Sequence, residues 1–593
     1  MKNRRYPLYL VLLAGCLVSC EKLDQVPEDT ATKDAVFGSE NGLELYSISF
    51  YDILPSGNDI HRGDALADYA ARTQVPDFIR PGAFDARQSS GWDWEGLRNL
   101  NYFIENCTNP AIPEETRRHY IGLARFFRAW FYFEKVKRFG DVPWISKAMS
   151  VDDPGLFSSR DPRTLVMDSV LADLDYACEN IRTTEDETRS LITTFVAYAF
   201  KSRVCLFEGT FRKYHTNYDL GSTAGTWLKE AEEAAKFVMD NSGFSLYEGV
   251  GPESSYRQVF ISKAPVASEV MLSAVADPSL SVFNDANWWW TSSTYGSRVS
   301  FTRTFINTYL NRDGTPFTNV PGHETMTFPE EVKNRDLRLS QTIRMGDYKR
   351  INGGVEEPAP PVFSYTYTGY QPIKWTLDDT YYDGGTRNDN SISIIRYAEV
   401  LLNYAEARAE QGLMNNEDWQ LTIGVLRGRA GITGGLNTLP VTADPYLQAN
   451  YFPEISDPVL LEVRRERAIE LALEGFRFYD LVRWKKGELM ELPWNGFYVP
   501  ALNTPMDLNE DGDMDVSFVQ APPSTPAPGV TYINVAPTIS GGVNPQQLSQ
   551  GTRGEITWLE NLPREWDEKH YLYPIPEADL EDNPELGQNP GWE

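Results

Sequence analysis

The stretch NDANWWWTSSTYGS at 284–297 sets three tryptophans, Trp288, Trp289 and Trp290, side by side among short polar residues. Indole faces stack on apolar surfaces, while Asn, Asp and Tyr supply directed hydrogen bonds. A sugar presents apolar C–H faces and a rim of hydroxyls, so this mixture is the chemistry that would hold one. Asp285, Asn287 and Tyr295 flank the run. A second aromatic-polar mixture, DARQSSGWDWEGLRNLNYF, carries Trp92 and Trp94. A third stretch, HRGDALADYAART, adds Asp64 and Asp68. These ten residues are the candidate ligand contacts. A helix follows Trp94 at once, so the competing role for Trp92 and Trp94 is core packing. Of the three adjacent tryptophans, one or two should anchor the loop and at least one should meet ligand. No regular element suits such a run, because it would alternate faces on a strand and fan around a helix.

A second constellation is DLNEDGDMD. Asp507, Asn509, Asp511, Gly512, Asp513 and Asp515 fall at positions 1, 3, 5, 6, 7 and 9 of a calcium-binding loop. Position 12 is Phe518 instead of the bidentate Glu, and no flanking helices are evident. The pattern suits one structural Ca²⁺ holding a long loop, against the alternative of a solvated acidic turn. No other cofactor is required.

Catalytic motifs do not emerge. The chain has five histidines, and His323-Glu324 lacks the second His of a zinc-protease helix. There is no CxxC, no P-loop, no strand-to-helix GxGxxG and no GxSxG elbow. A glycosidase needs only two carboxylates, and 84 acidic residues hide any such pair. No catalytic residue is assigned, and the expectation is a protein that is not an enzyme. In EVRRERAIELALEG, Glu462, Glu466, Glu470 and Glu474 recur every fourth residue among Arg464, Arg465 and Arg467. That spacing predicts ion pairing and capping along one helix.

Helices must position these groups. TRRHYIGLARFFRAWFYFEKVKRFG (116–140) is apolar almost all round, which predicts a helix buried between others and ended by Gly140. Further helices are predicted at 163–182, 192–209, 226–242, 392–412, 416–430, 457–475 and 476–487. The segment 243–390 is rich in Gly, Ser, Asn, Thr and Tyr and reads as loop and short strand. The stretch 491–560 is also loop-rich. The fold expected is mainly α: a TPR-like helical-hairpin scaffold with long loop-rich insertions and a few short strands.

The bulk numbers agree with a large packed body. Of 593 residues 41% are hydrophobic, and the net charge of −29 opposes nucleic acid and anionic lipid. The N-terminus joins Lys2, Arg4 and Arg5 to an apolar run too short to span a bilayer. Its end, Leu17-Val18-Ser19-Cys20, resembles the lipobox of bacterial lipoproteins. That resemblance implies a signal peptide 1–19, acylation of Cys20 and a tether over 20–32. Residues 33–593 then form one domain: a helical part 33–242, a ligand-binding insertion 243–390 and a second helical part 391–593. Cys107, Cys178 and Cys205 make no disulfide framework and read as buried thiols.

Four segments carry a wider resemblance. They are the lipobox with LDQVPED, RAWFYFEKVKRFGDVPWI, the pair IIRYAEVLLNYAEARAEQG and LEVRRERAIELALEGFRFYDLVRWKKG, and YLYPIPEADLEDNPELGQNPGW. In this order, over nearly the whole mature chain, they resemble the SusD/RagB family of Bacteroidetes outer-membrane lipoproteins. The resemblance implies a surface-exposed, lipid-anchored protein of the outer membrane. It implies capture of oligosaccharides for a SusC-like TonB-dependent transporter, without chemistry. The alternatives are a RagB-like protein that captures peptides and a cell-surface glycoside hydrolase. The family's glycan sites draw on acidic and aromatic residues early in the chain and on an aromatic loop in its middle, which matches the candidate contacts by region.

Overall fold

The computed structural model describes residues 33–292 and 296–593. Cys20, the signal peptide, the tether and Tyr295 lie outside the described residues. The expected helical scaffold is present. The helices that matter for the site are α1 (Gly57–Arg62), α2 (Glu95–Asn106), α3 (Glu114–Phe139), α4 (Arg163–Asn180), α5 (Thr194–Tyr214) and α6 (Gly221–Asn241) in the first part. They continue with α7 (Ala286–Thr291), α8 (Tyr397–Glu410), α9 (Pro458–Glu470) and α10 (Arg477–Arg483). Helices α3 and α4 pack together, as do α5 and α6, and α8 packs on α5, α6 and α9.

The sequence of α3 explains its place. Phe126, Phe127, Trp130, Phe131 and Phe133 point around most of its circumference and all are buried. Trp130 stacks on Phe200 of α5 with centroids 4.1 Å apart. Glu114 and Glu115 open the helix, Lys137 and Arg138 close it, and both ends match the helix dipole. Gly140 terminates it at φ 76°, a left-handed conformation that costs glycine little. Cys107, Cys178 and Cys205 are free and buried.

Two expectations need correction. The predicted helix 392–412 is a strand, β2 (Ile392–Arg396), followed by α8. The strand pairs antiparallel with β1 (Val270–Ala274), more than a hundred residues away in sequence. Three isoleucines favour the extended state, but helical periodicity downstream masks them until the partner strand is known. The acidic-basic pattern of α9 gives one of the expected pairs along the helix, Glu462 with Arg465 at 2.9 Å, but most of it turns inward. Glu462, Glu466 and Glu470 are buried, and they reach across to other elements. Glu470 pairs with Arg338 at 2.8 Å, Arg396 at 2.7 Å and Arg429. Glu474, just beyond α9, pairs with Arg396 and with buried Lys374, each at 2.7 Å. Arg464 reaches Glu410 of α8, and Arg467 reaches Asp480 of α10. Three arginines hold the Glu470 carboxyl well below its usual range against the opposing effect of burial. The fourfold spacing thus marks one polar face that is buried against several neighbours.

The loop-rich stretch 491–560 folds into short strands. Strand β3 (Asn495–Val499) pairs with β7 (Gly554–Trp558), which pairs with β6 (Gln546–Leu548). Strands β4 (Val516–Val519) and β5 (Thr531–Asn534) run parallel. No helix among the described residues is long and apolar enough to cross a membrane.

Candidate functional site

Contrary to expectation, the tryptophan run does form a regular element, the short helix α7. The fan that makes a helix seem unsuitable is what divides the three rings. Trp290 enters the core with 4% exposure, whereas Trp288 and Trp289 are half-buried. The backbone passes close behind, since a Cβ on Gly296 would sit 2.4 Å from the Trp289 carbonyl oxygen. Only glycine permits that approach.

Helix α1 positions α7 from the other end of the chain. Ser56 and Asp59 close a capping box that fixes the start of α1. Gly63 packs against Gly475, where a Cβ would come within 2.6 Å of backbone, so α1 lies tightly on the end of the α9 segment. The last residues of α1 then grip the tryptophan helix. Arg62 pairs with Asp285 and lays its guanidinium 4.4 Å from the Trp289 ring centroid. His61 Nε2 lies 3.1 Å from Asn58 Oδ1 and 3.2 Å from Asp285 Oδ1. Both are acceptors, so Nε2 carries the hydrogen. Burial pushes the His61 pKa down. Asp285 is held below its usual value: burial pushes it up, and His61 and Arg62 outweigh that.

Several candidate contacts are therefore structural. Asp285 is 7% exposed and spent on His61 and Arg62. Asn287 is fully buried; its amide bridges both backbone groups of Leu377 and accepts from Asn388 Nδ2 at 2.7 Å. Asp64 accepts from Tyr69 Oη and the Arg477 backbone N–H, and burial raises its pKa to about 6. Asp68 makes a two-pronged ion pair with Arg477 of α10. These four carboxylate or amide groups have no free face for a sugar. Trp92 and Trp94 pack edge-on at 5.3 Å, with Trp92 on Phe139 and Trp94 on Phe131 of α3, so core packing takes most of both rings.

What remains at α7 is a set of unpartnered polar atoms, four donors and one acceptor. Trp289 Nε1, Trp290 Nε1, Arg62 Nε and Ser297 Oγ, all donors, and the acceptor His61 Nδ1 are buried atoms without a hydrogen-bond partner among the described residues. Buried polar atoms normally have partners, so several orphans around one helix point to bound water or ligand. Next to them the chain forms a ledge. Thr73 N–H donates to the Ser297 carbonyl at 3.1 Å. Arg298 Nη1 donates to Tyr367 Oη at 3.2 Å, and Tyr367 stacks on Trp558 at 3.8 Å. Arg62, His61 and Ser297 were missing from the sequence-based candidates. No periodicity links residue 62 to residue 285, so nothing in the sequence could pair them.

The Asp507–Asp515 loop uses its carboxylates on itself. Asp507 accepts from the backbone N–H groups of Asn509, Glu510 and Gly512. Asp515 accepts from the Leu508 N–H at 2.7 Å, and burial raises its pKa to about 6. Among the described residues no group of three or more His, Cys, Asp or Glu side chains converges as a metal site. The Asp507 and Asp515 carboxylates thus cap amides of their own loop, as an acidic turn does.

A family model described as the SusD family matches residues 276–592. The chain belongs to the SusD family. A second model, described as starch-binding associating with the outer membrane, matches residues 50–198 of this SusD-family protein. It is 24% identical over 525 residues to a SusD-like protein of Formosa agariphila, covering 84% of this chain and 94% of that one. A SusD-like protein of Bacteroides ovatus is 23% identical over 618 residues, covering 98% and 96%. Among solved structures, a SusD-like protein from Bacteroides fragilis superposes with a TM-score of 0.66 at 21% identity, covering 96% of this chain and all of that one. A SusD-like carbohydrate-binding protein from the same species superposes equally well at 18% identity, covering 93% and 100%. The SusD fold thus extends over nearly the whole chain.

Proposed function

We propose that this SusD-family protein is a cell-surface glycan-binding lipoprotein. It is acylated at Cys20, held on the outer membrane, and captures oligosaccharides for a SusC-like TonB-dependent transporter without catalysing a reaction. The observation that carries this is the α7 site: the half-buried Trp289 ring is fixed by Arg62, and unpaired indole and hydroxyl donors surround it. A flat aromatic face supplies stacking, and fixed donors select hydroxyl oxygens. Arg62 holds one ring before ligand arrives, which lowers the entropy cost of binding. The relative from B. fragilis described as carbohydrate-binding and the starch-binding description of the second family model support the ligand class.

Calorimetric titration of the lipid-free protein with neutral and acidic oligosaccharides tests this. Binding is expected, with no shortened products on prolonged incubation. Product release would overturn the non-catalytic role. Retention of peptides with no oligosaccharide bound would overturn the ligand class.

A further inference from the structure

Helix α1 has a second face, away from the tryptophans, and it lines a groove. Two neighbouring cavities of about 570 and 650 Å³ lie between the segment 49–66, α2, α3 and the start of α10, sharing Ile53, Trp130 and Glu134 in their walls. Both lie in the size range of built ligand sites, roughly 300–1,000 Å³. The groove differs from the α7 site in what it leaves free.

Its aromatic faces are already covered by cations. Arg203 lies 5.0 Å from the Phe476 ring centroid, Lys137 4.4 Å from Tyr479, Arg138 3.7 Å from Tyr573 and Lys135 4.9 Å from Phe131. Each cation has a further partner: Glu399, Glu134, the Ser90 carbonyl and the Gly91 carbonyl respectively. Half-buried aliphatic side chains are open instead: Ile53, Leu54, Pro55 and Leu66. Around them stand Asp52, Asp59, Asp93 and Glu95, all exposed, none of which has an ion-pair partner among the described residues. An apolar floor whose rim carries these four carboxylates, against Lys135 and Arg138 whose hydrogen-bond partners are carbonyls, complements a chain that sets basic beside apolar side chains.

The geometry points to this groove as a docking site for a polypeptide segment that carries Lys or Arg beside apolar residues, distinct from the α7 glycan site. The probe is a fluorescein-labelled 12-residue peptide alternating Lys and Leu, followed by anisotropy with full-length lipid-free protein. The pair D52K and E95K should weaken its binding tenfold or more. The pair E253K and E417K, exposed carboxylates elsewhere, should change it less than twofold. Leu66→Trp, which fills the groove without altering charge, should also weaken it at least fivefold. W289A should leave it unchanged, which separates this site from the α7 reading. Equal weakening by both charge-reversal pairs, no effect of Leu66→Trp, no binding of the peptide, or its displacement by a neutral hexasaccharide would overturn the proposal.

Discussion

The α9 core and the α7 site are both crowded with polar side chains, and they differ in the kind of group left without a partner: charged guanidinium nitrogens already in ion pairs at α9, uncharged indole and hydroxyl groups at α7. Around Glu470 the carboxylates of Glu466, Glu470 and Glu474 each meet two or more buried cations, although Arg429 Nε, Arg464 Nε and Arg465 Nε have no partner of their own. Around Trp289, Asp285 is fully used while indole and hydroxyl donors stay unpaired. A network in which full charges are matched holds a scaffold rigid; uncharged donors left beside a half-buried ring face have capacity for something else. The same residue types thus do opposite work, and the bookkeeping of partners tells the two apart.

Breaking the charge-matched network should have the largest effect. Glu470→Ala leaves Arg338, Arg396 and Arg429 short of one partner each, and unfolding in urea should show a loss of about 3–5 kcal/mol. The same network sets acid behaviour. Glu470, Glu474 and Asp480 all have depressed folded-state pKa values. Their stabilisation is complete above the ordinary carboxylate range and is lost as pH falls below it. Trp290→Ala comes next. It opens a cavity under α7, and a loss of about 3 kcal/mol is expected in the same assay.

Asp64 acts with the opposite sign. Its folded-state pKa near 6 lies above the ordinary value, so its contribution is full below about pH 4 and fades as pH rises through 6. Asp64→Asn should flatten the stability–pH curve in that window, where the wild-type slope accounts for about 2–3 kcal/mol. Trp289→Ala sharpens the comparison from the other side. It should lower oligosaccharide affinity tenfold or more, about 1.4 kcal/mol, with little change in unfolding midpoint. Equal stability losses for Trp289→Ala and Trp290→Ala would erase the division between anchor and contact. Calcium should have the smallest effect: with the Asp507 loop capped by its own amides, titration should give no heat beyond dilution and no shift in Tm.

Much of the scaffold was legible. The all-round apolar pattern of α3 and the stop at Gly140 are local signals, and the structure agrees to within two residues. Strand β2 was hidden because its partner β1 is distant in sequence. The α9 carboxylates were assigned to pairs within one helix, since spacing reports only neighbours on the same element. Asp64, Asp68, Asp285 and Asn287 had the right chemistry for a sugar, and their chemistry is spent on the fold.

The sequence by itself determined the family, the helical frame, the buried thiols and the zone where the tryptophans lie. Those follow from local order: motif spacing, periodicity and helix-ending residues. Tertiary structure alone decided which tryptophan is core, which acids are consumed, and that Arg62 meets Asp285 and Trp289. Those outcomes depend on contacts between distant parts of the chain, 223 positions apart for Arg62 and Asp285, which no local pattern encodes.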